Sequence, residues 1–126
     1  MIPPCFKLVV IRSTDMNGTM AFYRSLGIDF NDDQHGSGPR HFAADLGGIV
    51  FEIDPTKKPE DVDRTNRLGF SLPDIHTAII SIRDLGATIV EEPKDSDWGL
   101  RAVVRDPDGR SVELYAEDPP IECNVR

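Results

Sequence analysis

The sequence predicts an α+β fold made of two βαβββ modules in tandem. Three observations carry this. A capped helix occurs twice at a constant offset: Asp15 and Asp74 as N-caps, Leu26 and Leu85 as last apolar residues, Gly27 and Gly86 as stops, each pair 59 residues apart. A hairpin signal follows each helix, Gly47-Gly48 in the first half and Asp106-Pro107-Asp108-Gly109 in the second. Each hairpin then divides into an apolar face and a mostly polar face that carries a single Glu.

The second hairpin is the more informative. Pro107 presets φ for a type I turn and Gly109 supplies the left-handed residue, which gives a three-residue loop with a bulge. Pairing then runs Asp106 with Arg110, Arg105 with Ser111, Val103 with Glu113 and Arg101 with Tyr115. Leu100, Ala102, Val104, Val112 and Leu114 share the core face; Arg101, Val103, Arg105, Ser111, Glu113 and Tyr115 share the other. In the first hairpin, Phe42, Ala44, Leu46, Ile49, Phe51 and Ile53 point to the core, and His41, Ala43, Asp45, Val50 and Glu52 point away.

The remaining elements follow in order. Phe6 to Arg12 is a near-continuous apolar run and predicts a strand buried on both sides. A helix from about Met16 to Leu26 has Met16, Met20, Tyr23 and Leu26 at helical spacing. Phe30 starts a second strand, and 31–39 reads as a polar, Gly-rich loop. Two prolines and seven charges between Asp54 and Asn66 read as a linker. Leu68 to Leu72 predicts a strand, and Ile75, Ala78, Ile79, Ile82 and Leu85 form the apolar stripe of the second helix. Thr88 to Val90 predicts a strand and Glu91 to Gly99 a loop bearing Trp98. Module one thus spans about 5–54, the linker 55–66, module two about 67–116, and a Pro-rich acidic tail, expected to be poorly ordered, 117–126.

The 126 residues suffice for one domain, or two small halves sharing a core. Apolar content of 39% and charged content of 29% are ordinary for a globular chain. A net charge of −8 argues against nucleic acid and anionic membrane as partners. No apolar run approaches the roughly 18 residues needed to span a bilayer, and no signal peptide is recognised, so a cytoplasmic location is the default expectation. Cys5 and Cys123 fit no metal spacing and are expected as reduced thiols.

The order and spacing of Asp15 to Gly27, Leu46 to Ile53, Asp74 to Gly86, and Trp98-Gly99 through D-P-D-G to Glu113-Leu114 carry a resemblance. A doubled βαβββ unit ending in D-P-D-G-x-x-x-E-L resembles the vicinal-oxygen-chelate superfamily. That group includes glyoxalase I, extradiol dioxygenases, fosfomycin-resistance enzymes and bleomycin-binding proteins. The resemblance implies sheets curved around a cleft, helices on the outer face, and a homodimer. It also implies a divalent metal held by one residue from the first strand and one from the last hairpin strand of each module. Glu52 and Glu113 match the hairpin positions. Counting back from the capping Asp residues puts Leu8 and Leu68 at the first-strand positions, and leucine ligates nothing.

The leading expectation is therefore a small-molecule-binding protein of this type without the usual metal site and without another cofactor. Its ligand would be a small organic molecule, anionic or aromatic. Leu8, Val10, Leu68 and Phe70 would floor the cleft, Trp98 and Tyr115 would wall it, and Arg101 and Arg105 would meet an anionic or carbonyl group. The alternative is a metal-dependent lyase, isomerase or dioxygenase with Glu52 and Glu113 as ligands, completed by His41 or a substrate. Glu113, Glu52 and His41 are then the catalytic candidates. The bland readings stay open: Glu52 and Glu113 as salt-bridged partners of Arg101 or Arg105, His41 as an ordinary strand-end residue, and His35 and His76 as solvated. A third reading is a degenerate domain kept only for association or regulation.

Overall fold

The computed structural model describes residues 2–33, 37–38 and 40–116; His35, Cys123 and the 117–126 tail lie outside them. Among the described residues the chain forms β1 (Leu8–Ser13), α1 (Met16–Arg24), β2 (Asn31–Asp33), β3 (His41–Leu46), β4 (Ile49–Pro55), a short 3-10 turn (Pro59–Asp61), β5 (Leu68–Leu72), α2 (Ile75–Asp84), β6 (Ile89–Ser96), β7 (Gly99–Arg105) and β8 (Ser111–Ala116). The strands make two mixed sheets of matching order, β1-β4-β3-β2 and β5-β8-β7-β6. In each, the first strand runs parallel to the last and the others pair antiparallel. The sequence repeat is therefore a structural repeat.

Local chemistry accounts for the match. Asp15 and Asp74 cap their helices, accepting from Gly18 N and Thr77 N, both at 3.1 Å. Gly47 and Gly48 both have positive φ, +67° and +93°, as a two-residue primed hairpin turn requires. Gly109, at φ +90°, follows the Pro107-Asp108 turn, and every hairpin pair predicted for β7 and β8 is present.

A single buried cluster draws on both modules. Phe22, Tyr23, Phe51 and Ile53 come from the first, and Ile79, Ile82, Val104 and Leu114 from the second. The rings of Tyr23 and Phe51 each reach Phe70 of β5, at centroid distances of 6.0 and 5.7 Å. Leu85 departs from its predicted stripe and is exposed.

A polar lock adds to this. The Asp106-to-Arg110 loop of module two buries three charged side chains against the start of module one. Asp106 accepts from Tyr23 Oη at 2.7 Å and pairs with Arg110 Nη1 at 2.5 Å. Arg110 Nη2 donates to the Arg12 carbonyl at 2.7 Å. Asp108 accepts from the Thr14 amide and hydroxyl at 3.1 and 2.9 Å, and from the Thr19 hydroxyl at 2.9 Å. Burial alone would raise the Asp108 carboxyl, but hydrogen bonds from Ser13, Thr14 and Thr19 outweigh it and hold the group below the usual range. Burial, then the Asp106 charge, pushes the Tyr23 hydroxyl well above its ordinary value.

Five expectations change. Asn31–Asp33 is strand β2, paired with β3, not the start of a loop. β1 is not buried on both sides: Leu8 and Val10 face outward and are 55% and 39% exposed. Residues 91–96 are strand, not loop, because β6 runs on along β7 with register shifts on either side of Glu91 that accommodate Pro93. The linker is ordered: Val62 is buried, and Arg64 Nε donates to the Asp108 carbonyl at 2.8 Å. Cys5 is disulfide-bonded rather than a reduced thiol.

Candidate functional site

The non-core face of the second sheet is organised around Glu113. The β7–β8 register sets Glu113 beside Val103, and β5 sets Gly69 on its other side. Tyr115 Oη donates to Glu113 Oε1 at 2.5 Å, and Arg101 donates through Nε at 3.1 Å and Nη2 at 3.0 Å. Arg67 Nη1 lies 3.3 Å from the other carboxylate oxygen. The Tyr115 hydrogen bond first, then Arg101 and the Arg67 charge, hold the Glu113 carboxyl below the usual glutamate range, against its partial burial. Arg101 also reaches Glu91 Oε2 at 3.7 Å. Arg105 lies apart, exposed and donating to the Gly109 carbonyl.

The sign of that shift makes a prediction. A carboxyl lowered in the folded state stabilises above its unfolded value, about 4.3, and loses this as pH falls through the lowered folded value. Wild type should therefore melt above Glu113→Gln at neutral pH, and the gap should close as pH drops through that window. Thermal melts of both proteins from pH 7 to pH 3 check it; a gap independent of pH contradicts it.

The matching face of the first sheet is more apolar. Leu8 and Val50 are register partners, as are Val10 and Glu52, and Arg12 stands opposite Asp54. His41, Glu52 and Asp54 each offer a ligand atom within 4.8 Å of the others, so a possible His/Glu/Asp metal-binding group exists. The sequence reading missed Asp54 because it ended the strand early and took that residue for linker.

The four-ligand arrangement implied by the resemblance does not fit. The position beside Glu113 on its own face is Gly69; Leu68 pairs with Val112 and faces the core, as does Phe70. A count from a distant helix cap cannot fix strand parity, and one residue of slip flips every side chain. By the same pairing the residue beside Glu52 is Val10, on the open face with Leu8, and the second place falls to glycine, which has no side chain. Glu113 is meanwhile held by two arginines and a tyrosine. Nothing in the described geometry brings Glu52 and Glu113 together around one point.

Two depressions adjoin β5. One, of about 530 Å³, lies between the modules and is lined by Val9, Leu46, Phe51, Leu68 and Phe70 among others, with Arg67 as its charged group. The other, of about 460 Å³, is a shallow basin lined by Gly69, Phe70, Ser71, Trp98, Tyr115 and Ala116. Trp98 sits in the β6–β7 turn with 76% of its surface exposed. The structure thus brings Trp98 and Tyr115 to one basin and leaves His41 and Leu8 on the other sheet. Arg67 and Glu91 carried no sequence signal, since each reads as one more surface charge.

Solved structures with this fold are found at low identity. An antibiotic-binding protein, TnmS3 from Streptomyces sp. CB03234, is 22% identical with a TM-score of 0.70, over 94% of this chain and 99% of that one. The oxidase ChaP-H2 is 16% identical with a TM-score of 0.74, over 93% and 96%. A glyoxalase/bleomycin resistance protein/dioxygenase family enzyme from Burkholderia phytofirmans PsJN is 16% identical with a TM-score of 0.67, over 86% and 94%. No curated protein matches the chain in sequence. The family profile, however, covers residues 6–114, and with the doubled βαβββ architecture this means that the chain belongs to the Glyoxalase/Bleomycin resistance protein/Dioxygenase superfamily.

Proposed function

We propose that this protein binds a small amphipathic organic molecule with an anionic or carbonyl-bearing end, and that binding needs no metal bridging its two modules. The observation that carries the reading is the pair of depressions flanking β5, of about 530 and 460 Å³. Both fall in the range of small-molecule sites, which are mostly apolar with a few convergent polar groups. Trp98 and Tyr115 offer aromatic surface, Leu68 and Phe70 apolar packing, and Arg67 and Arg101 charge for an anionic end. An antibiotic-binding protein with the same fold is consistent with such a role. The enzyme alternative needs Glu113 as a ligand or base, and its arginine and tyrosine partners oppose that. A homodimer is part of the proposal, favoured by the exposed Leu8, Val10 and Val50 on the open face of the first sheet.

Trp98 is the only tryptophan, so its fluorescence reports on the basin directly. Chelator-treated protein titrated with a panel of planar aromatic acids and natural-product antibiotics should show saturable quenching. The response should weaken in Arg101→Ala and in Tyr115→Ala, which removes aromatic surface from the same basin. Binding by no panel member, or only after a divalent ion is restored, would count against the reading.

A further inference from the structure

The first sheet carries a cluster that ligand binding at β5 does not use. His41 opens β3, and Asp54 lies across from it on β4, one step beyond the Phe42–Ile53 pair. Glu52 is two residues from Asp54 and therefore on the same face. The three side chains are each half-buried, and their donor atoms lie within 4.8 Å of one another. Ligands on a tetrahedral ion with bonds of about 2.0–2.1 Å sit roughly 3.4 Å apart, so closing the cluster takes side-chain rotation and no backbone movement.

A second observation points to a cation. Asp54 Oδ1 is buried and has no hydrogen-bond partner. A buried carboxylate oxygen left unpaired costs free energy, and a bound cation is one of the few things that would satisfy it. Arg12 is the register neighbour of Asp54 on β1, yet no ion pair joins them among the described residues and the Arg12 side chain is exposed. The donor set then selects the ion. Two carboxylates balance a divalent charge, and an imidazole favours zinc and its first-row neighbours over calcium and magnesium, which prefer all-oxygen sites.

We propose that His41, Glu52 and Asp54 form a binding site for a divalent transition cation of the zinc type on the open face of the first sheet. All three ligands come from one hairpin of module one, so the site does not depend on donors where Val10 and Gly69 stand. With three protein ligands, at least one coordination position stays open for water or an oxygen donor.

Isothermal titration of the chelator-treated full chain with zinc chloride tests this, with cobalt(II) absorption as a second readout of the ligand field. Wild type should bind one ion per chain. His41→Ala and the near-isosteric Asp54→Asn should each weaken binding by more than the roughly 10–100-fold typical of losing an outer supporting residue. Glu113→Gln, His76→Ala and His35→Ala should leave it unchanged. Circular dichroism of each variant confirms that the fold persists. The site is overturned if wild type shows no saturable binding, or if Asp54→Asn and His41→Ala bind as wild type does. It is equally overturned if Glu113→Gln abolishes binding while Asp54→Asn retains it, which would assign the ion to both modules. The fluorescence titration is run without metal, so either proposal can fail alone.

Discussion

Asp106→Ala is expected to destabilise the protein by about 3–5 kcal/mol, the range for breaking a fully buried ion pair from one side. The Asp106 carboxylate takes the Tyr23 hydroxyl, the Arg110 guanidinium, and the Asp108 and Arg110 amides, both at 3.0 Å. Both members of the pair are almost fully buried, at 0% and 1% side-chain exposure. Removing the carboxylate leaves a guanidinium with no counter-charge in a place water does not reach. For a chain of this size the melting temperature should fall by roughly 10–20 °C. Tyr23→Phe removes a single hydrogen bond and should cost only about 1–1.5 kcal/mol. Denaturant unfolding of the two variants and of Arg110→Met checks the ordering. If Asp106→Ala lies within 1 kcal/mol of wild type, the loop is not the lock described above.

Phe51→Ala comes next, at about 3–5 kcal/mol from lost transfer free energy plus the cavity left behind. Phe51 is 1% exposed, and its ring meets Tyr23 at 5.1 Å, Phe30 at 6.0 Å and Phe70 at 5.7 Å. It touches module two through Phe70, so its loss should weaken both halves together. One cooperative transition, superimposable by near- and far-ultraviolet circular dichroism, is the expected result. Two separated transitions would mean that the modules unfold independently. Phe51→Leu, which keeps most of the volume, should recover more than half of the loss.

The parts of the fold that were legible are those governed by local chemistry. Asp15 and Asp74 cap, Gly27 and Gly86 stop, and two turn sequences set two registers; each acts within a few residues. The start of β6 was legible at Thr88 to Val90, but its continuation was not, because Glu91, Glu92, Pro93, Lys94 and Asp95 look like a loop. As the edge of a sheet, it carries charge and a proline that discourage further pairing. The face of β5 was misjudged because only its pairing with β8 decides whether Leu68 or Gly69 stands beside Glu113. The partners of Glu113 were half legible: Arg101 followed from hairpin register, whereas Arg67 comes from another strand's approach. Asp106 and Asp108 read purely as turn formers. No local pattern shows that a turn will be buried against residues more than eighty positions away.

That turn also bears on how the two halves are related. Module one closes its hairpin with a bare Gly47-Gly48 corner, while module two closes its own with carboxylates that hold the first helix of its counterpart. The twins have ceased to be equivalent: one donates the bolt and the other the socket. A chain assembled from two copies of the first half would lack the bolt, and one assembled from two copies of the second would lack the Thr14, Thr19 and Tyr23 socket. The duplication can be read in the backbone, but it can no longer be undone or repeated by exchanging the parts.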